Sequence, residues 1–208
     1  MDIRKPKAIG SLREFVIELA TIVIGVLIAL GAEAIVVQHR ISDAVEFSRD
    51  DFIHELEQNR ADVKSNLHEA HELDNQVAAV LKDGVAFVRG EGSLSGGHNV
   101  SRTFVRLRSA AWSSALSTQV MGHFPHEEGR AVAQAYNEQQ AFTDLQQAEQ
   151  GVWFGLADAS FIGAPTKPDV ENAMKHLVVA RAYLAAHEES DAGLLRTYDE
   201  ALKRLKQS

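Results

Sequence analysis

The most constraining feature of this sequence is an apolar run near its start that contains two carboxylates. From Phe15 to Val37 there are 23 residues, of which only Glu18 and Glu33 are ionisable. A helix rises about 1.5 Å per residue, so this run would be roughly 34 Å long and would cross the hydrocarbon core of a bilayer. The uncharged centre, 19–32, would be only about 21 Å long, so both glutamates must lie near the interfaces. The run predicts one transmembrane helix over 15–37.

The charges on either side of the run predict its orientation. Four basic residues precede it, namely Arg4, Lys5, Lys7 and Arg13. Only Arg40 and Arg49 follow it within a comparable distance. The positive-inside rule then places 1–14 in the cytoplasm as a short basic tail. We therefore expect a bacterial inner-membrane protein whose chain after the span faces the periplasm.

A cleavable secretory signal is the alternative interpretation of this N-terminus. A basic start, an uncharged stretch and the sequence AEA at 32–34 also satisfy such a signal. Cleavage after Ala34 would release a soluble protein. The apolar continuation from Ile35 to Val37, and the glutamate inside the would-be cleavage motif, favour the uncleaved anchor.

One face of the predicted span is lined by small residues and bounded by carboxylates. Its members are Glu18, Thr21, Gly25, Ala29, Ala32 and Glu33. Small residues let helix backbones approach closely in lipid, so this face predicts packing against a membrane protein partner or against a second copy of the chain. The alternative is that Gly and Ala are simply frequent in transmembrane helices.

The segment REFVIELATIVIGVLIALGAE, Arg13 to Glu33, resembles the N-terminal signature of a family of uncharacterised bacterial single-pass membrane proteins with a domain of unknown function. The resemblance covers residues 13 to about 66. It implies a membrane anchor joined to a helical extramembrane region. No activity is assigned to that family, so the resemblance transfers no catalytic residue to this chain.

The chain after the span has helical periodicity throughout and no strand-like alternation, which predicts an all-α fold. We expect the transmembrane helix to be followed by a long helical arm over 38–88, a Gly/Ser-rich linker over 89–100 and an antiparallel helical bundle over 101–208. The helices expected after the linker are Leu107–Ser117, Pro125–Ala157, Pro168–His187 and Asp191–Lys206.

The arm carries a heptad pattern. Its predicted seam consists of Val45, Phe52, Leu56, Asn59, Val63, Asn66, Ala70, Leu73, Val77 and Val80. Arg49 and Gly84 are misfits in this pattern. Such a seam predicts either a parallel coiled coil between two chains or one arm of a bundle within the chain. We favour the bundle because the rest of the chain supplies partner helices.

Candidate metal ligands occur in two groups of the form HxxHE. The first group is His68, His71 and Glu72, and the second is His123, His126 and Glu127. Residues at i, i+3 and i+4 share one helix face, so the first group could offer imidazole and carboxylate to zinc or iron. However, its histidines occupy solvent-side heptad positions, and neither an HExxH motif nor a di-iron ligand set is present. We therefore expect no cofactor and keep a metal-binding protein as a minor alternative.

Composition and motifs argue against several functions. The 208 residues include no cysteine, and a net charge of −8 argues against nucleic-acid binding. No G-x-S-x-G motif is present, so we expect no enzyme and assign no catalytic residue. Four aromatic side chains could line a ligand pocket, although such residues more often form core: Trp112, Trp153, Phe154 and Phe161.

Taken together, these features predict a membrane-anchored interaction protein. Its expected partners are the lipid bilayer and a membrane protein or a second copy of the chain, either in a larger inner-membrane assembly or in a homo-oligomer. The alternative is a periplasmic ligand-binding or sensing bundle that acts through a membrane partner.

Overall fold

The computed structural model describes residues 12–94, 100–158 and 165–207. Within these ranges the chain forms four α-helices, one short 3-10 helix and no strand. They are α1 (Leu12–Arg89), α2 (Ala110–Ser117), the 3-10 helix Val120–His123, α3 (His126–Asp158) and α4 (Lys167–Lys206). The predicted all-α class is confirmed. The chain divides into two units, Met1–Phe47 and Ser48–Ser208.

The described part of the first unit is the N-terminal portion of α1. Every residue from 12 to 40 is exposed. The most apolar stretch of 18 residues in this helix has a mean hydropathy of 2.5, and 0% of it is buried. α1 therefore contains a candidate membrane span, and no other was found in the described ranges. Most of the predicted basic tail, 1–11, lies outside the described residues.

The second unit is a bundle of the later part of α1 with α3 and α4. Hydrogen bonds between α1 and α3 show that these two helices run parallel. Arg49 donates to Glu128 with Nε and Nη2, both at 3.1 Å. Asn59 Nδ2 donates to Gln139 Oε1 at 3.0 Å. The later residue of α1 meets the later residue of α3, so the two helices run in the same direction.

α4 runs antiparallel to α1. Lys206, at the end of α4, donates to Glu57 at 2.5 Å. Arg181, earlier in α4, donates to Asp74 with Nε at 2.7 Å. The later residue of α4 therefore meets the earlier residue of α1, which defines the antiparallel direction.

Because α1 and α3 are parallel, the chain must return along the bundle before α3 begins. Residues 100–109, which we call the return segment, carry out this return in non-helical conformation, and α2 continues it. Three hydrogen bonds tie the return segment and the start of α2 to successively earlier residues of α1: Arg102 to Asn66 at 2.9 Å, the Arg108 amide to Asn59 at 2.9 Å and the Ala111 amide to Glu55 at 3.0 Å. Residues 95–99 of the predicted linker lie outside the described residues.

The predicted seam of α1 is buried against helices of the same chain. Within the second unit its buried members are Phe52, Leu56, Asn59, Val63, Asn66, Ala70, Leu73 and Val77. Val80 is partly buried against the same core. The predicted misfit Gly84 is buried as well, and a Cβ there would come within 2.9 Å of Met174 Sδ on α4. The seam is thus occupied by α3, α4 and the return segment.

Two helix boundaries differ from the prediction. α4 is one helix, whereas we predicted a break between His187 and Asp191. That prediction was wrong because this interval contains no proline and both residues lie one turn apart on the buried face. α2 begins at Ala110 and not at Leu107, because Leu107 belongs to the return segment. The start of α4 follows the predicted signal, since Thr166 forms a capping box.

Candidate functional site

The predicted packing face of the span lies entirely on the first portion of α1. All six of its residues are exposed: Glu18, Thr21, Gly25, Ala29, Ala32 and Glu33. The Thr21 hydroxyl donates to the Ile17 carbonyl at 2.9 Å, so it is satisfied within its own helix. A Cβ added at Gly25 would meet no heavy atom within 4 Å. The face is open, and its pairing with another helix stays a prediction.

All six predicted metal ligands are exposed: His68, His71, Glu72, His123, His126 and Glu127. His71 Nε2 lies 3.5 Å from Glu188 of α4. Glu127 accepts a hydrogen bond from Arg130 at 2.8 Å, and this partner holds the pKa of Glu127 below its usual value. In the described part of the chain, no three His, Asp or Glu side chains are placed to hold a metal ion. The metal hypothesis therefore has no support from this geometry.

The aromatic residues that could line a pocket lie apart where the structure describes them. Trp112 stacks on Tyr136 of α3, with ring centroids 5.2 Å apart. Trp153 is buried in the core, whereas Phe154 is 68% exposed. Phe161 lies outside the described residues. The described aromatic side chains thus belong to different surroundings, and they do not enclose a common cavity.

A groove of about 790 Å³ does lie between α1 and α4. Its floor includes Ala70 and Leu184, and its lining includes none of these aromatic residues. The ion pair between Arg181 and Asp74 bridges it. The groove is open along its length, so it does not enclose a small molecule as a typical ligand site does.

The bundle interior holds an amide layer, which consists of Glu55, Asn59, Tyr136, Gln139 and Tyr198. The Tyr136 hydroxyl donates to Glu55 at 2.6 Å and the Tyr198 hydroxyl donates to Gln139 at 2.6 Å. Burial, followed by the hydrogen bond to Glu55, raises the pKa of Tyr136 far above its usual value. Asn59 and Gln139 both donate to the Arg108 carbonyl at 2.8 Å. The amide layer therefore fixes the return segment to α1 and α3.

A second and more highly charged group lies further along the bundle. We call it the ionic layer, and it consists of Arg102, Glu149, His187 and Asp191, with Asn66 and Trp153 as neutral donors. The charged side chains are 0–1% exposed. They come from the return segment, α3 and α4, while Asn66 comes from α1. Every element along this part of the bundle thus contributes to one buried polar network.

Glu149 is the centre of the ionic layer. Its Oε1 accepts a hydrogen bond from Trp153 Nε1 at 2.8 Å and lies 3.5 Å from Arg102 Nε. Its Oε2 lies 2.9 Å from His187 Nε2. This last contact is a charge pair and not an aligned hydrogen bond, because both of its atoms lack a hydrogen-bond partner. One carboxylate thus faces two cationic side chains.

The other side of His187 faces a second carboxylate. Its Nδ1 lies 3.3 Å from Asp191 Oδ1, and Asn66 Nδ2 donates to Asp191 Oδ2 at 2.8 Å. Asn66 Oδ1 in turn accepts from Arg102 Nη2 at 2.9 Å. The network therefore closes on itself, since Arg102 is linked to Glu149 directly and to Asp191 through Asn66.

The electrostatics of the ionic layer favour a charged histidine. Burial alone would lower the pKa of His187, but its contacts with Asp191 and Glu149 outweigh burial, and the pKa is raised. Placing one ion in the interior carries a penalty of several kcal/mol unless opposite charges compensate. Two cations and two carboxylates provide this compensation.

The sequence analysis missed the ionic layer because its members are far apart along the chain. Asn66 and Asp191 are separated by 125 residues and Arg102 and Asn66 by 36. One local signal was present, since His187 and Asp191 are spaced i, i+4 on the apolar face of α4. Chemically, the layer can hold or release a proton, whereas it is closed to a substrate.

Comparisons with known proteins do not assign this site. No protein-family model matches the chain, and neither a curated protein nor a solved structure matches it. The resemblance of Arg13–Glu33 to single-pass bacterial membrane proteins therefore stays a prediction. The functional argument has to be made from the span and the bundle themselves.

Proposed function

We propose that this protein is a membrane-anchored interaction protein, with one transmembrane helix and a helical extramembrane domain. It acts as an accessory subunit of a larger inner-membrane assembly or as a homo-oligomer. The observation that carries the proposal is the surface of α1 over 15–37, which is apolar and exposed on every side. Such a surface is stable in lipid and against other membrane helices, whereas in water it would aggregate.

The orientation follows from the charges that flank the span. The basic residues before it favour an N-terminus in the cytoplasm and a bundle in the periplasm. α1 continues through Ala34 to Arg89 without a break, which supports an uncleaved anchor over a secretory signal. The proposal therefore keeps the bundle attached to the membrane.

Two considerations favour contact through the span. The heptad seam of α1 is already filled by its own chain, so within the second unit it is not available for a parallel coiled coil with a second copy. The face that contains Gly25 and Ala29, in contrast, is uncovered. Because small residues allow close helix packing in lipid, this face is the best candidate for the partner contact.

The test replaces small residues with leucine on opposite faces of the span. We expect Gly25→Leu with Ala29→Leu to abolish co-purification of the partner, or to reduce the oligomer to a monomer, in mild detergent. Ala20→Leu with Ala34→Leu is the matched control, because both alanines lie on the opposite face, and it should retain the complex. Unchanged co-purification and oligomer size in the first variant would show that the face is ordinary lipid-facing surface.

Membrane attachment itself is measured separately. Alkaline carbonate should leave the full-length chain in the membrane fraction, and only detergent should release it. Release by carbonate, or an intact mass that begins near Ile35, would overturn the anchor.

A further inference from the structure

His187 has an unusual environment for a buried histidine, because both of its ring nitrogens face a carboxylate. Nε2 lies 2.9 Å from Glu149 and Nδ1 lies 3.3 Å from Asp191. A neutral imidazole has only one N–H, so its other nitrogen would direct a lone pair at an acceptor. The imidazolium ion instead places positive charge beside both carboxylates, and this attraction does not require an aligned hydrogen bond to Glu149.

The other partners of these carboxylates agree with this assignment. Trp153 donates to Glu149 at 2.8 Å and Asn66 donates to Asp191 at 2.8 Å. Each carboxylate thus accepts from a neutral donor with one oxygen and turns its other oxygen towards His187. This arrangement suits an imidazolium ion held between two carboxylates.

We propose that His187 is a buried proton-binding site that couples the stability of the bundle to pH, with the imidazolium ion holding α4 against α3. The bundle is therefore most stable below about pH 6.5, and it loosens as pH rises and the proton leaves. This inference does not depend on the membrane function proposed above, since all of its residues lie within the second unit.

The groups that face His187 from each surrounding element define the charge balance. α3 contributes Glu149, α4 contributes Asp191, and the return segment contributes Arg102 on the far side of Glu149. α1 contributes the neutral amide of Asn66. With His187 protonated, two cations face two carboxylates. Loss of the proton leaves one cation and an excess negative charge in the interior, which is costly.

The direction of the pH effect follows from proton linkage. The pKa of His187 is raised in the folded chain, whereas an unfolded histidine titrates near 6.5. The stabilisation is then fully present below about pH 6.5 and is lost as pH rises through the folded-state pKa. Between about pH 6.5 and the folded-state pKa, the folded chain binds up to one proton more than the unfolded chain. The folding equilibrium constant therefore changes by up to about tenfold per pH unit in this range.

The direct test is an NMR titration of the imidazole signals of the full-length chain in detergent micelles. The signal of His187 is identified by its disappearance in His187→Gln. We expect this signal to stay in the imidazolium form at pH values above about 6.5, where an unfolded histidine has become neutral. A neutral His187 at or below pH 6.5 would overturn the proposal.

The second test measures denaturant unfolding as a function of pH by tryptophan fluorescence. In the wild type, the folding equilibrium constant should fall by up to about tenfold per pH unit above pH 6.5. His187→Gln should remove this slope, and His71→Gln, at an exposed position, should retain it. An equal slope in wild type and His187→Gln would refute the coupling. Glu149→Gln supplies a further check, since it should shift the titration of His187 to lower pH.

Discussion

Replacement of Arg102 by methionine tests whether the ionic layer stabilises the bundle. The Arg102 side chain is 1% exposed, and it contacts Glu149 at 3.5 Å and Asn66 at 2.9 Å. Methionine approximates the length of the aliphatic part of arginine and removes its charge and its donors. The substitution thus leaves His187 as the one cation in the layer, facing two carboxylates.

The expected loss can be estimated from the burial of the pair. Removal of one partner from a buried ion pair typically costs about 3–5 kcal/mol, because the other charge stays in the interior without compensation. Domains of ordinary size have about 5–15 kcal/mol of total stability. Arg102→Met should therefore remove about a fifth or more of the free energy of unfolding.

The assay is denaturant unfolding of the full-length chain in micelles, followed by tryptophan fluorescence at pH 6.5. Arg108→Met is the matched control, because Arg108 lies on the same return segment and pairs with Asp62 at 2.6 Å. This control pair is 49% and 36% exposed. Exposed ion pairs contribute about 0–1 kcal/mol, so the control should change stability by no more than that.

A double variant separates loss of charge from loss of packing. Arg102→Met with Glu149→Gln has no uncompensated carboxylate at position 149, so it should be more stable than Arg102→Met alone. If Arg102→Met costs no more than the Arg108→Met control, the ionic layer is not an energetically buried network and the reasoning fails.

Three further substitutions test packing in the bundle by the same unfolding measurement. Phe52→Ala should lower the free energy of unfolding by about 3–5 kcal/mol, since Phe52 is 0% exposed and contacts three aromatic rings. A loss below about 1 kcal/mol would contradict this expectation. Gly151→Ala should raise the free energy of unfolding by up to about 1 kcal/mol, because a Cβ at that helical position meets nothing within 4 Å. Gly84→Leu should lower the free energy of unfolding by about 1–3 kcal/mol, because Met174 occupies the space that the leucine side chain needs. Equal effects of the substitutions at Gly151 and Gly84 would exclude packing as their cause.

The sequence predicted the core of α1 well because that core is encoded locally. Buried positions such as Phe52, Val63 and Val77 recur with the heptad spacing of a single helix face. Even the two asparagines of the seam were placed correctly on the buried face. Periodicity is a property of one segment, so it could be seen without knowledge of the partner helices.

The ionic layer could not be predicted in the same way. Arg102 and Glu149 look like surface residues in a sequence, because isolated charges are rarely buried. Their burial depends on the return segment, which brings Arg102 back to the level of Asn66. Long-range pairing decides this burial. We also predicted a break in α4 between His187 and Asp191, whereas α4 is one continuous helix.

The pairing of α1 with α4 also has a consequence during synthesis. The seam of α1 is synthesised long before the residues that it contacts. Asn66, for example, binds Asp191, which is 125 residues later in the chain. At about 5–20 residues per second, this interval lasts roughly 6–25 s. During that time Asn59 and Asn66 interrupt an otherwise apolar stripe and weaken its attraction for other nascent chains. We therefore expect the asparagines that fasten the finished bundle to lower the aggregation of the unfinished one.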